Sequence, residues 1–361
     1  NAERGNSGMK KDELLTSCNA PDQKKTLKQI LFVAEGQAAL VDAEDHLPGP
    51  GEVRLQMRYS AVSAGTERAL LTGNRDSEEI FRYQLPARPG YAGSGVITHV
   101  GEGVEDFRPG QRVMVHGGGH QQFCTVPQKE IVPVPDNVPL DEAALTIIAG
   151  FSLSAVRKAE ICLGQSCLVV GAGLLGLFAV QYARLSGAYP VIVSDMNPER
   201  RALALTLGAD AAFDPSEPDY EQRVKAMTFS GKGVETAIEV TGNPKALRAT
   251  LHCTAKFGRV LLLGCTRTMT EVDFYHDVHW PGIELIGAHS GARPTAQSFR
   301  NAYTEMDDCR VTLKYLSAGR LSFRPVIHEV VSPAEAPEVY ARLAEQRNFP
   351  VGVLFDWSRL D

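Results

Sequence analysis

No stretch of this 361-residue sequence approaches the roughly 18 consecutive apolar residues of a membrane-spanning helix, so no span is expected. Positive charge is not in excess. The formal net charge is −6, which argues against the clustered basic face that a nucleic-acid binder needs. Paired cysteines are missing too: the seven are odd in number and scattered, and only Cys162 and Cys167 lie close together. Their spacing matches no common metal knuckle, and reduced, mostly buried thiols are expected. The first residues lack the charged-then-apolar pattern of a secretory leader, and the expected location is the cytoplasm.

What remains is the composition of an ordinary globular chain, 43% hydrophobic and 22% charged. Its length is large for one core, and two domains are expected. Residues 1–27 are polar and read as a disordered tail.

The chain then changes rhythm once. From Lys28 to about Pro139 the pattern is β: VRLQMRYS (53–60) alternates, which predicts Val53, Leu55, Met57 and Tyr59 on one face of a half-buried strand. Turn signals recur at PGPGE, GEG, RPGQ and VPDNVP, the spacing of a barrel-like or sandwich domain. From about Leu163 short apolar runs alternate with helical spacing. SCLVVG, YPVIVSD, GVETAIEV, RVLLLG and IELIGAH read as buried strands, with helices at 174–188 and after Asn197. Strands separated by helices predict a parallel sheet covered on both faces. After His289 the pattern gives a helix over about 297–318, the segment RPVIHEVV, a helix in PAEAPEVYARLAEQ and a closing strand PVGVLFDW. This tail is expected to fold back on the first domain.

Gly171-Ala172-Gly173-Leu174-Leu175-Gly176 is a GxGxxG between a predicted strand and a predicted helix. The first glycine permits the turn, the second admits a pyrophosphate, and the third lets helix and strand pack closely. The helix start at Leu174 and Leu175 offers free N–H groups and a positive dipole end to phosphates. Asp195 closes the next strand, where a carboxylate accepts from ribose hydroxyls and repels a 2′-phosphate. The cofactor predicted is NAD(H), with NADP(H) disfavoured. Arg200 lies beside the ribose or a phosphate, or is solvated.

The order of GTE (65–67), PGYAGSGVITHVGEGVEDFRPGQRV (89–113), the GAGLLG turn, AIEVTG and GRVLLLG resembles the medium-chain dehydrogenase/reductase, zinc alcohol dehydrogenase-like superfamily. The resemblance runs from about Lys28 to the C-terminus. It implies an α/β fold: a β-rich GroES-like barrel domain over 28–150 and a Rossmann doubly wound parallel sheet over 151–290. Residues 291–361 would return to the catalytic domain. It also implies that Thr241 and Gly264 touch the cofactor and that the protein is a homodimer.

In the zinc-binding relatives, ligands stand at the positions filled here by Ala64, Tyr91 and Ile147, none of which ligates zinc through its side chain. The structural zinc lobe is also missing, because QRVMVHGGGHQQFCTV holds only Cys124. SAGTE, FYHDVHWPG and GAHSGARP are similar to a zinc-less branch that includes bacteriochlorophyllide hydroxyethyl dehydrogenase relatives and polyol or sugar oxidoreductases. The expectation is no metal. Tyr91 is then either a hydrogen-bond donor to the substrate oxygen or a filler of the vacated volume. Thr66 matches the hydroxyl that relays the alcohol proton, and Glu67 matches a structural carboxylate. In HGGGH, a flexible loop, His116 reads as solvated and His120 as facing the cleft. His289 is a candidate for proton exchange near neutral pH. His276 and His279, at i and i+3, are read as not binding metal.

The function implied is zinc-independent, NAD(H)-dependent oxidation of a secondary alcohol, polyol or sugar-like small molecule, or the reverse carbonyl reduction. Two alternatives stay open: a C=C or quinone reductase, and a non-catalytic NAD(H)-binding redox sensor.

Overall fold

The computed structural model describes residues 26–73, 84–345 and 349–360. The second half builds the sheet that its apolar runs predict. Cys167–Val170 and Val191–Ser194 are buried along their whole length, as strands covered by helices on both faces must be. Six parallel strands stand in the order Ala211–Phe213, Val191–Ser194, Cys167–Val170, Val234–Glu239, Thr254–Leu262, Glu284–Gly287. The order reverses between Cys167–Val170 and Val234–Glu239, which puts a ligand crevice beyond the C-terminal ends of these strands. Ala211–Phe213 is too short to have been read from periodicity. Two of the covering helices start alike, with an asparagine cap followed by proline: Asn197 accepts from the backbone of Glu199 and Arg200, and Asn243 from Lys245.

The first half supplies five strands of a seven-stranded, mostly antiparallel sheet around Glu52–Ala61, preceded by the hairpin Thr26–Ala34 and Gln37–Glu44. The hairpin begins inside the segment read as tail; residues 1–25 lie outside the described residues. The alternation predicted for 53–60 holds for Val53, Leu55 and Met57 and then breaks. A register shift between Met57 and Tyr59 turns Ser60 inward and moves Tyr59 to the other core cluster. Arg54 is buried as well, because its guanidinium pairs with Asp45 (3.0 Å from Nε), donates to Thr98 and lies 4.0 Å over the Phe123 ring.

The closing strand Gly352–Asp356 pairs antiparallel with Glu52–Ala61 and parallel with Ile327–Val331, so the tail does return to the first sheet. The helix read over 297–318 is shorter, Glu305–Ser317. Thr304 caps its start, and Asn301 in the left-handed region (φ 62°) turns the chain before it. The helix Thr146–Ala159 runs through position 150, where a domain boundary was expected. One core cluster unites Ala61, Ala92 and Met114 of the first sheet with Val169, Phe178 and Leu261 of the second half. Among the described residues no helix is long and apolar enough to cross a membrane.

Candidate functional site

A cleft of about 640 Å³ opens where the parallel sheet's crevice faces the first sheet. Its floor is the glycine turn. Gly171 has φ 100°, and a side chain there would press on the Thr241 methyl group at 2.8 Å. A Cβ on Gly176 would overlap the Gly171 carbonyl oxygen, so this residue acts through packing and is itself buried outside the cleft. Gly173 has open space on its Cβ side. The helix Leu174–Leu185 that follows has no side-chain cap, leaving its first N–H groups for a bound anion. Leu174 and Leu175 line the cleft.

Asp195 stands at the end of the second strand, facing the turn. One carboxylate oxygen accepts from the Ala172 N–H at 2.7 Å and the other from Asn197 N–H at 2.8 Å. The acid therefore braces the glycine loop as well as lining the cleft. Arg200 also lines it, but its guanidinium donates to the Phe349 carbonyl oxygen (2.8 Å), joining the return segment to the rim. Thr241 reaches the wall from the fourth strand, its N–H and hydroxyl both on the Glu239 carboxylate. Burial pushes that carboxyl up, and the bonds from Thr241 and Gly242 pull it part of the way back. Gly264 lies against the backbone of Val240 and Gly242, where no side chain fits.

The opposite wall begins at the helix Ala64–Leu71, whose first turn presents Ser63, Ala64 and Thr66 to the cleft. Tyr91 stands beside it. The ring packs near Phe151 (5.9 Å) and edge-on to His116 (6.2 Å), while the phenol donates to Ser63 Oγ at 2.7 Å and also bonds the Thr66 hydroxyl. Burial drives the Tyr91 phenol well above its ordinary value; the Ser63 bond opposes this, and the negative charge of Glu67 adds to it. The residue thus both fills volume and keeps a proton to donate. His289 is an exposed wall residue whose Nδ1 accepts from Gly291 N–H at 3.0 Å, so its neutral ring carries the proton on Nε2.

His120 does not face the cleft. It is 1% exposed, sealed beneath Gly90 and between the rings of Tyr340 and Phe355. Trp357 Nε1 donates to Ser60 Oγ (2.9 Å), leaving the Ser60 proton for His120 Nδ1 (2.7 Å) and the ring proton for the Glu67 carboxylate (3.3 Å). Glu67 also accepts from Tyr340 Oη at 2.6 Å and from the Ser63 N–H at 2.9 Å. A histidine between glycines reads as mobile; here the register shift that turns Ser60 inward supplies its partner and fixes it. His116 is not simply solvated either: its Nδ1 lies 3.0 Å from Glu130 and 3.6 Å from Glu305. His276 pairs with Asp273 (2.7 Å) on a single π-helical turn, Phe274–His279, that does not reach the cleft.

Two family models match the chain: the alcohol dehydrogenase GroES-like domain over residues 49–136 and the zinc-binding dehydrogenase over residues 175–308. The L-threonine 3-dehydrogenase of Thermococcus kodakarensis is 32% identical over 279 residues, 69% of this chain and 78% of that protein. The chain belongs to the medium-chain dehydrogenase/reductase superfamily. It is an oxidoreductase of the alcohol dehydrogenase type. The galactitol-1-phosphate dehydrogenase of Escherichia coli shares the fold with a TM-score of 0.79 at 20% identity, over 91% of this chain and 99% of that one. An Escherichia coli protein described as a short chain alcohol dehydrogenase, complexed with NADH, gives 0.78 at 20% identity over 92% and 99%.

Ser63 was not singled out from the sequence, because residues 28–139 read as β and no helix was expected to begin after it. The one signal is the glutamate four residues on, too far for the usual capping box.

Proposed function

We propose that this chain is an NAD(H)-dependent, zinc-independent alcohol dehydrogenase or carbonyl reductase acting on a secondary alcohol, polyol or sugar-like molecule, as a cytoplasmic homodimer. The observation that carries the reading is the hydrogen-bonded cluster of Tyr91, Ser63 and Thr66 on the wall that shares a cleft with the glycine turn. The donor set does not fit a zinc ion. Ala64 and Ile147 offer no ligating atom, Tyr91 holds its proton, and among the described residues no three His, Cys, Asp or Glu side chains are grouped to hold a metal.

The residues at the other end fit a dinucleotide: an open backbone at Gly173, uncapped N–H groups at the helix start, and Asp195 at the ribose position. A bound nicotinamide supplies the hydride acceptor or donor. The chain's own task is then to stabilise and protonate the substrate oxygen, which gains negative charge in the transition state, and the hydroxyl cluster of Tyr91, Ser63 and Thr66 is the source of that proton. Phe151 and Ile148 line the same wall and keep it poor in water.

Three measurements test the reading. A panel of secondary alcohols, polyols and sugar derivatives should reduce NAD, while enones and quinones should oxidise NADH more slowly; the reverse ranking would make the chain a C=C or quinone reductase. Dialysis against chelator is expected to leave activity unchanged, and activity lost and then restored by zinc would contradict the proposal. Asp195→Ser is expected to narrow the NAD over NADP preference by about tenfold or more, because a carboxylate repels a 2′-phosphate and a hydroxyl does not. An unaltered ratio of kcat/KM values would place the ribose elsewhere.

A further inference from the structure

Serine at a helix N-cap normally spends its side-chain oxygen on the N–H of the second or third helical residue. Ser63 precedes the helix Ala64–Leu71 and makes no such bond. Its hydroxyl oxygen accepts from Tyr91 Oη instead, at 2.7 Å, inside the cleft. The helix start is held another way: the Glu67 carboxylate reaches back to the Ser63 N–H at 2.9 Å and is itself fixed by Tyr340 and His120. The backbone of Ser63 is thus anchored from the interior while its hydroxyl is released to the cavity. Because Tyr91 donates to it, the Ser63 proton is left over, and among the described residues no acceptor takes it. A local rule broken at a rigidly held cleft residue marks function.

We propose that Ser63 is a catalytic residue: its hydroxyl contacts the substrate oxygen, with Tyr91 delivering protons to it from behind. The proposal rests on the carbonyl/alcohol reading above and adds a residue to it. In the reducing direction the carbonyl carbon takes a hydride, with its electron pair, from the nicotinamide. The C=O π pair becomes an O–H bond to the Ser63 proton, Ser63 Oγ takes the proton of Tyr91 Oη, and Tyr91 takes that of Thr66, which solvent replaces. Alcohol oxidation runs the same chain backwards and returns one proton to solvent. The resting bond from Tyr91 to Ser63 already points in the reducing sense.

The test uses the full-length protein with NADH and a carbonyl compound that the panel shows it to reduce. Ser63→Ala should lower kcat by about 30-fold, less than the full loss of an oxyanion donor because Tyr91 can still reach the oxygen through one water. NADH affinity by fluorescence titration and the melting temperature of the cofactor-free protein should both stay at wild-type values, and Ser63→Thr should restore most of the rate. Wild-type kcat in Ser63→Ala would overturn the proposal. So would a loss of rate matched by a lowered melting temperature or weakened NADH binding, the signature of a structural cap. Failure of the underlying reading looks different: unmodified protein would bind NADH and reduce no carbonyl in the panel, which overturns both.

Discussion

Tyr91→Phe is expected to lower kcat by about 10²–10³-fold, within the range that a positioned proton donor contributes, because the proton route to Ser63 is cut. The ring would keep its place, since Phe fits between Phe151 and His116 without change of volume. What is lost is the phenol on this wall and the link between Ser63 and Thr66. Phenylalanine offers no donor or acceptor at this point, so the chain of hydroxyls from Thr66 to Ser63 is interrupted. The pH profile carries a second signature. A tyrosine at its ordinary value near 10 would lose its proton, and its role as donor, as pH rises through that point. Tyr91 is held above that value by burial, so wild-type activity should show no loss assignable to this phenol near pH 10. Steady-state kinetics of both proteins between pH 6 and about 10.5 check this. A Phe variant with wild-type kcat would reduce Tyr91 to filler.

How much of this was legible beforehand differs between the two ends of the cleft, for a physical reason. The cofactor end is built from local pattern: an apolar strand, three glycines, a helix and an acid closing the next strand all lie within 29 residues, from Cys167 to Asp195. Each part constrains its neighbour through the chain, so sequence spacing carries the geometry. At the other end the partners are remote. His120 is defined by Ser60 and Glu67, more than 50 residues earlier, and Glu67 by Tyr340, 273 residues later. Nothing local distinguishes a sealed histidine from a mobile one in HGGGH. Arg54 likewise occupies a position that alternation assigns to solvent, and its contacts with Asp45, Thr98 and Phe123 explain its burial. Ser63 shares the difficulty, because its partner Tyr91 lies 28 residues later and the helix that follows it falls in a stretch read as β.

The same remote contacts make Glu67 a residue whose replacement should cost much in stability. Its carboxylate is buried and receives three kinds of donor: the His120 ring N–H, the Tyr340 hydroxyl and the Ser63 N–H. Glu67→Met preserves volume but leaves all of these donors unpaired in an apolar site. At roughly 1–3 kcal/mol for each stranded group, the loss should be on the order of 5 kcal/mol. Glu67→Gln should cost much less, because its amide can donate to the Tyr340 oxygen or to a reversed His120 tautomer while its carbonyl still accepts from Ser63. Urea unfolding followed by fluorescence of Trp357, which joins the network through Ser60, reads the difference. Adding Tyr340→Phe separates network from packing: in the Met background it should recover part of the loss, since it removes a stranded hydroxyl, whereas in the wild type it strips a donor from a buried carboxylate and destabilises. Equal effects of Tyr340→Phe in both backgrounds would mean that the carboxylate does not hold this wall together, and the anchoring of Ser63 would need another cause.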